Sequence, residues 1–329
     1  MELMDRQKQI KQIGFIHVMS IATFAASMGY CGLCFGWRFA HQLWGIPSIF
    51  GEIFGAVAIA VYLLVLGCYV LKIKRDFGEV RAEWGHPMKS SFFGTFTVST
   101  VLLSAVLAPY VPQLAVKIWW VAIVLILLFS WAILTHWLLK RQYFNHVSPG
   151  WLLPVLGPIT IPIAGNILQP VGYHDISIFC VSVGIVTSIP VITLLLGRMI
   201  IGRPLPDSVQ PGIMILMAPF GMGYITYTDT FGVDSFAMIF ICVGLFMLPP
   251  IVIKVISVVR RSPFRMSWWA MSFPSMAFTN GVLKLTLNYG VWWNYAMSVI
   301  FLGAGTILIL ALSARTLVAV KRKELAKLY

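Results

Sequence analysis

Ten long apolar runs, separated by short polar segments, constrain the fold of this chain more than any other feature. An α-helix needs about 20 residues to cross the roughly 30 Å of hydrocarbon in a bilayer. Charged residues make up 11% of the chain, whereas a soluble domain carries about 25%, so they are too few to cover a water-facing surface. We therefore predict an all-α integral membrane protein, with ten transmembrane helices in a single domain over residues 1–329. The predicted spans are 13–37, 48–71, 91–109, 114–138, 151–171, 176–197, 211–228, 236–259, 267–288 and 292–315.

The positive-inside rule gives the orientation of these spans. With both termini in the cytoplasm, 21 of the 24 Lys and Arg residues lie in the termini or in cytoplasmic connections. The remaining basic residues are Arg38, Lys117 and Lys284, and the acidic residues expected outside are Asp175, Asp229 and Asp234. The net charge of +13 thus belongs to loops that face anionic lipid headgroups and does not indicate nucleic acid. We predict a multi-pass protein of the cell (inner) membrane, with a short cytoplasmic N-terminus, 1–12, and a basic C-terminal tail, 316–329.

Short outer connections pair the spans into five helical hairpins. Helix-breaking residues concentrate in the odd-numbered spans, whereas the even-numbered spans are more uniformly apolar. The breakers are Gly29, Gly32, Pro154, Pro158, Pro162, Pro219 and Pro274. Pro and Gly are tolerated at membrane depth where the freed backbone groups face protein or a water-filled cavity. The pattern therefore predicts an inner ring of odd-numbered helices around a pathway, with the even-numbered helices outside it.

Ionisable residues are scarce within the spans, and no Asp or Glu is expected at mid-membrane. This scarcity argues against a proton relay and against coordination of cations. Lys284, near the outer end of the ninth span, either snorkels to the headgroups or attracts anions into a vestibule. A pathway of small, hydroxylated and apolar groups with a basic cytoplasmic end would favour anions through its electric field. The pore-lining candidates are Thr23, Thr97, Thr100, Pro158, Thr160, Pro162, Asn166, Pro219, Gly223 and Thr279.

The sequence does not support an enzymatic or a metal-binding function. Cys31 and Cys34 have CxxC spacing, but they lie within an apolar run and lack a second pair or a nearby ligating histidine. The sequence contains no GxSxG, HExxH or Walker A motif. We therefore predict no catalytic residues, no metal site and no cofactor.

Several loop motifs resemble those of the TehA family, the tellurite-resistance/dicarboxylate transporter family, which includes the slow-type anion channels of plant guard cells. The first is Phe77-Gly-Glu-Val-Arg-Ala-Glu-Trp-Gly-His-Pro-Met-Lys-Ser-Ser-Phe92, between the second and third spans. The others are Ser148-Pro-Gly-Trp-Leu-Leu-Pro154, Gly172-Tyr-His-Asp175 and Ser267-Trp-Trp-Ala-Met-Ser-Phe-Pro274. Their order, their spacing and the count of spans extend the resemblance over nearly the whole chain. The fifth span is richer in proline than that of bacterial TehA proper, and it is more similar to the dicarboxylate transporters and anion-channel-like members.

The resemblance implies a homotrimer in which each protomer holds its own pore. Within a protomer it implies five hairpins in a quasi-fivefold arrangement around that pore. It also implies a gate, a phenylalanine in the ninth span that plugs the pore, and the matching residue is Phe273. Pro274 next to it removes a backbone donor, so we expect a kink of the gate helix at this point.

The leading hypothesis is an anion channel for small monovalent anions such as chloride or nitrate. One alternative is a secondary carrier of C4-dicarboxylates or related organic anions, and another is an efflux protein linked to tellurite resistance. A membrane scaffold or sensor is a further class, in which the basic tail would bind a partner. The shortage of carboxylates within the spans favours the channel over the carrier and over a cation path.

Overall fold

The computed structural model describes residues 19–322, 324 and 328, and within these residues all regular secondary structure is helical. The α-helices are α1 (Phe24–Trp44), α2 (Ile49–Arg75), α3 (Phe77–Gly85), α4 (Phe93–Leu107), α5 (Pro112–Leu139), α6 (Leu152–Leu156), α7 (Ile161–Leu168), α8 (Tyr173–Ile201), α9 (Ala218–Phe231), α10 (Ser235–Arg261), α11 (Ser272–Asn288) and α12 (Trp292–Lys321). The 3₁₀ stretches are Ile21–Thr23, Ser90–Phe92, Phe144–His146, Pro149–Trp151, Gly157–Thr160, Gln210–Met217 and Met266–Met271.

Seven segments of the described chain are long and apolar enough to cross a membrane. They are α2, α5, α8, α10, α12, Ser90–Leu107 and Pro149–Leu168. Three further helical segments of similar length, 21–44, 210–231 and 266–288, carry more Gly, Ser, Thr and Pro. Every apolar run predicted from the sequence thus appears as a helical segment, most of them with ends within a few residues of the prediction. The multi-pass membrane class is confirmed.

Packing divides the long helices into two groups. The inner helices α1, α4, α7, α9 and α11 contact one another in that order, and α11 contacts α1 again. The outer helices α2, α5, α8, α10 and α12 each lie against two successive inner helices. The most apolar windows of the inner segments Ser90–Leu107 and Pro149–Leu168 are 78% and 72% buried, whereas those of the outer helices are 22–39% buried. Because the inner segments face protein and not lipid, they can carry the polar and small residues noted in the sequence.

Each inner segment begins with a 3₁₀ stretch and continues as an α-helix. Pro162 and Pro219 are the second residues of α7 and α9, and Pro274 is the third residue of α11. The N–H groups of the first turn have no partner within an α-helix, so proline is tolerated there. Pro274 therefore lies at the junction between a 3₁₀ stretch and α11, and not inside a continuous α-helix where it would remove a hydrogen bond.

Glycines allow α11 to approach both of its inner neighbours. A Cβ at Gly32 of α1 would lie 2.7 Å from the Cβ of Met276. A Cβ at Gly221 of α9 would overlap the backbone of Ala277, and one at Gly281 would lie 2.9 Å from the Gly221 Cα. Any side chain at these positions would push α11 away. The glycines thus fix the position of the helix that carries Phe273.

Both chain ends reach beyond the described residues. The predicted N-terminal segment 1–12 and the beginning of the first predicted span lie outside them, as do residues 323, 325–327 and 329 of the predicted tail. The helix α12 continues to Lys321, into the predicted tail, 316–329.

Candidate functional site

Three cavities follow one another between the inner helices. The polar vestibule, of about 440 Å³, lies at the end with short connections, and its lining includes Arg38, Asn166 and Lys284. The central cavity, of about 30 Å³, follows it, with space for only one or two water molecules. The basic mouth, of about 200 Å³, lies at the opposite end, and its lining includes Lys89 and Arg265.

Two side chains separate the polar vestibule from the central cavity. Phe273 of α11 and Met222 of α9 line both cavities, and they are 7% and 2% exposed. Their neighbours in the same apolar cluster include Met28 and Ala218. The two cavities are therefore divided by an aromatic ring and a thioether. Such a barrier offers nothing to replace the hydration of an ion.

The central cavity is lined by residues of all five inner segments and by none of the outer helices. The hydroxyl groups of Thr95 and Thr160 donate to backbone carbonyls, at 2.7 Å to Phe92 O and 2.7 Å to Gly157 O. Most other lining groups are apolar. The α-helical parts of the inner segments begin at this level: Ala25, Phe92, Thr160, Ala218 and Phe273 line the cavity and lie at the start of α1, α4, α7, α9 and α11.

Phe92 and Ala270 separate the central cavity from the basic mouth, since they line both. Lys89 lies in the connection between α3 and α4. Burial and the nearby charge of Lys89 lower the pKa of His86, whose Nδ1 accepts hydrogen bonds from the backbone N–H groups of Met88 and Lys89. The neutral imidazole thus organises the turn that carries Lys89.

Glu83 of α3 holds this region against α1 and α2. Its carboxylate accepts from Ser20 Oγ at 2.7 Å and from the Ile21 N–H at 2.9 Å. It also accepts from Tyr69 Oη at 3.1 Å and forms an ion pair with Lys72 at 3.3 Å. Glu83 is 7% exposed and Lys72 is 4% exposed. This buried network joins the start of the first inner segment to the connection that leads to Lys89 and Phe92, at the start of the second inner segment.

The polar vestibule contains two differently held cations. Arg38 donates to both carboxylate oxygens of Glu52, at 3.0 and 2.8 Å, and to the carbonyls of Ala105 and Val106. Lys284 of α11 forms an ion pair with Asp229 of α9, with 2.7 Å between Nζ and Oδ1. Asp229 lines the vestibule near the C-terminal end of α9, one residue beyond the seventh predicted span, 211–228.

Two amides complete the polar part of the vestibule. The side-chain nitrogen of Asn166 is buried and has no hydrogen-bond partner in the described chain. Asn280, 4% exposed, donates through Nδ2 to Gly32 O at 2.9 Å, and its Oδ1 has no partner there. Asn280 and Lys284 are one turn apart on α11, and both line the vestibule.

The cavities bring together six of the residues singled out from the sequence. Phe273 and Pro274 line the central cavity with Thr160, Thr23 lines the basic mouth, and Asn166 and Lys284 line the vestibule. The remaining candidates are absent from the lining of all three cavities: Thr97, Thr100, Pro158, Pro162, Pro219, Gly223 and Thr279.

The hydroxyl groups that miss the three cavities have partners elsewhere. Thr100 is hydrogen-bonded to Tyr62 of α2 at 2.8 Å, and Thr97 donates to Gly94 O at 3.1 Å. Thr279 donates to Phe301 O of α12 at 3.4 Å and lines a separate lateral cavity. Thr97, Thr100 and Thr279 therefore do not line any of the three cavities, and their place in the pathway stays a prediction.

Gly223 and the three prolines also line none of the three cavities. A Cβ at Gly223 would lie 2.6 Å from the ring of Phe240 on α10, so this glycine accommodates an outer helix. Pro158 is within the 3₁₀ stretch between α6 and α7, and Pro162 and Pro219 lie in first helical turns. These prolines set the course of the backbone and do not face the cavities.

Sequence reasoning missed Met222, Asp229 and Phe92. A methionine or phenylalanine in an apolar run has no signature that separates a pore plug from core packing. The charge of Asp229 was visible, and its position seven residues after Met222 and four after Ile225, on one face of the same helix, was the signal that could have placed it. In the described chain no group of three or more His, Cys, Asp or Glu residues could hold a metal ion.

The outer helices are long and apolar enough to cross a bilayer, and the inner helices enclose a row of cavities separated by side chains. These features define a membrane protein of the channel or carrier class. The chain belongs to the SLAC1 family, whose profile is described as voltage-dependent anion channel and matches residues 18–317. The resemblance to the TehA and slow-type anion channel family is thereby confirmed, and the family indicates an anion channel or transporter, not an enzyme.

Individual relatives agree with this assignment. The chain is 28% identical over 270 residues to the uncharacterized transporter MJ0762 of Methanocaldococcus jannaschii, covering 71% of this chain and 78% of that protein. It is 26% identical over 181 residues to the tellurite resistance protein TehA homolog of Haemophilus influenzae, covering 52% and 54%. It is 22% identical over 323 residues to the S-type anion channel SLAH3 of Arabidopsis thaliana, covering 94% of this chain and 49% of that protein.

Proposed function

We propose that this chain is an anion channel that passes small monovalent anions, such as chloride or nitrate, along the pathway between its inner helices. Phe273 is the gate, and Met222 completes the occlusion. The observation that carries this proposal is that these two buried side chains line both the polar vestibule and the central cavity. An apolar constriction of this kind stops hydrated ions by steric exclusion and by dewetting.

The proposal includes ten membrane crossings in five hairpins with quasi-fivefold symmetry around the pathway. It is supported by the sequence in which the inner helices contact one another, since the last, α11, also contacts the first, α1. It is also supported by the position of each outer helix against two successive inner helices. The basic mouth faces the cytoplasm of the cell (inner) membrane, and both termini lie on that side, in agreement with the distribution of Lys and Arg. The homotrimer implied by the family resemblance is part of the proposal, and light scattering in detergent tests it.

Selectivity for anions follows from three features of the pathway. Lys89 and Arg265 give the cytoplasmic entrance a positive field. Four inner segments begin as 3₁₀ stretches whose residues line the basic mouth, and the N-terminal end of a helical segment carries a partial positive charge. At the other end, Lys284 offers hydrogen-bond donors to an anion in the vestibule.

The test is the current through Phe273→Ala in planar bilayers under chloride, nitrate and malate gradients. We expect a much larger current than in the parent, with a reversal potential that follows the permeant anion. Phe278→Ala is the matched control, because Phe278 is a buried phenylalanine of the same helix that packs against Phe301 of α12, away from the three cavities. Unchanged currents from folded Phe273→Ala protein would refute the gate, and a reversal potential that follows the cation would refute the anion channel.

A coupled carrier of C4-dicarboxylates remains a second candidate because of one observation. Asp229 is a titratable carboxylate that lines the pathway, and it is paired with a cation that an organic anion could contact. Coupled carriers usually contain such groups within the membrane. Uptake of labelled malate into liposomes that responds to a pH gradient, with no current through Phe273→Ala, would favour the carrier.

A further inference from the structure

The polar vestibule holds an ion pair between two partly exposed side chains, Lys284 and Asp229. Lys284 Nζ and Asp229 Oδ1 are 2.7 Å apart, and both side chains are 23% exposed. The two residues come from different inner helices, α11 and α9, and both line the cavity that ends at Phe273. An ion pair in these surroundings is open to a competing anion from the solution.

Arg38, the other cation of the vestibule, is held differently. Its guanidinium contacts both oxygens of Glu52 and two backbone carbonyls, so most of its donors are already used. Its role is to join α1 to α2 and to the end of α4. A lysine ammonium has three donors, and the ion pair with Asp229 occupies one of them. Lys284 is therefore the cation that can bind a passing anion.

We infer that Lys284 is an anion-binding residue of the outer vestibule and that Asp229 is a built-in competitor that sets how often an anion occupies it. The carboxylate of Asp229 occupies the position that chloride, nitrate or a small monocarboxylate takes when it displaces this side chain. The inference rests on the proposed function, since it assigns a specificity-determining pair to the same pathway.

A second donor supports a binding site in this place. Asn166 lines the same cavity, and its buried side-chain nitrogen has no hydrogen-bond partner in the described chain. An amide nitrogen donates and cannot accept, so it matches an anion and not a cation. The vestibule is the largest of the three cavities, at about 440 Å³, and it accepts an anion with part of its hydration shell.

The net charge of the Lys284–Asp229 pair predicts how the variants rank in anion conductance. Asp229→Asn leaves Lys284 unpaired and adds one positive charge to the vestibule relative to the parent. Lys284→Met leaves Asp229 unpaired and adds one negative charge. The double variant removes both charges, so its net charge equals that of the parent. Because the double variant also lacks the ammonium that binds the anion, the expected order of anion conductance is Asp229→Asn, then the parent, then the double variant, then Lys284→Met.

The experiment measures single-channel chloride conductance in the Phe273→Ala background, so that the gate does not limit the current. At about 0.05 M chloride we expect each single change to alter the conductance by about threefold, as one unit charge several ångströms away in a hydrated cavity does. At about 1 M chloride, where the screening length is about 3 Å, the differences should nearly vanish. Single-channel conductance does not depend on the amount of protein that folds.

Two exposed residues at the same side provide matched controls. Asp175→Asn and Lys117→Met make the same chemical changes at residues that do not line the vestibule, and they should leave the conductance unchanged. Lys284→Arg keeps the charge and should retain most of the conductance. Asn166→Leu should lower it without changing its salt dependence.

The inference is refuted if Phe273→Ala conducts chloride but all four members of the charge cycle have the same conductance at low salt. It is also refuted if both single variants change the conductance in the same direction, because that result indicates altered shape and not charge. Absence of any anion current in Phe273→Ala is a different result, which refutes the proposed channel itself.

Discussion

Glu83 provides the strongest test of how the basic mouth is held together. We predict that Glu83→Gln destabilises the protein and loosens the cytoplasmic side of the first inner segment. The carboxylate accepts from Ser20 Oγ, the Ile21 N–H, Tyr69 Oη and Lys72 Nζ, all between 2.7 and 3.3 Å. An amide in its place presents an N–H group to at least one of these donors, and it leaves the charge of Lys72 uncompensated.

The magnitude follows from the burial of both partners. Glu83 and Lys72 have side chains that are 6% and 5% exposed, so water cannot replace the lost partner. Removing one member of a buried ion pair costs about 3–5 kcal/mol, because the other charge remains buried and unpaired. Replacing both members by neutral residues costs much less. We therefore expect Glu83→Gln/Lys72→Met to recover most of the stability that Glu83→Gln loses.

The assay heats the protein in detergent and measures, at each temperature, the fraction that elutes without aggregation. Glu79→Gln is the control, since Glu79 is an exposed carboxylate in the first turn of the same short helix. Hydrogen exchange at Ile21 gives a local measurement, because its N–H loses an ionic acceptor in the variant. A Glu83→Gln protein that melts with the parent would refute the reasoning, as would a double variant less stable than the single one.

Three further predictions follow from the placement of other residues. Thr279→Val should leave the conductance of the Phe273→Ala channel unchanged, because Thr279 faces α12, and a clear change in single-channel recordings would return it to the pathway. Gly32→Ala should cost about 1–3 kcal/mol of stability, since its Cβ would lie 2.7 Å from the Met276 Cβ, and a melting temperature equal to the parent's would contradict this. His86 has a lowered pKa in the folded protein, so the unfolded chain binds a proton at higher pH and stability falls as the pH drops through about 6.5. His86→Gln should therefore reduce the loss of stability between about pH 7 and pH 5, and equal losses in melting curves across that range would exclude this role.

The membrane class and the approximate ends of the helices could be predicted from the sequence because both depend on local composition. A run of apolar residues crosses the bilayer whichever face it turns to its neighbours. The division into inner and outer helices was also accessible, since the outer helices must be apolar toward lipid. Gly32 and Pro219 lie in inner segments for this reason: only helices that face protein tolerate such residues at depth.

The lining of the pathway was less accessible, because it depends on the rotation of each helix about its axis. Thr100 and Thr160 have the same hydroxyl group in neighbouring inner segments, but only Thr160 lines a cavity. A threonine hydroxyl can donate to a carbonyl of its own helix, so its presence in a span requires no polar surroundings. Thr226 does this by donating to Met222 O at 2.8 Å. The presence of hydroxyl groups therefore pointed to threonines such as Thr97, Thr100 and Thr279. Their hydroxyl groups are hydrogen-bonded to backbone carbonyls or to a side chain of an outer helix.

The prolines show how a correct sequence signal can have a different physical meaning. Pro274 was expected to kink the gate helix by removing a hydrogen-bond donor. Instead, Pro162, Pro219 and Pro274 lie in first turns, where an α-helix takes over from a 3₁₀ stretch. Because Phe273 immediately precedes one of these prolines, its ring projects where α11 begins, at the level where the other inner α-helices also begin. The same junctions thus place the apolar ring of Phe273 beside the central cavity. Under the proposed function, we expect this ring to exclude ions while it is in place and to admit anions once it moves.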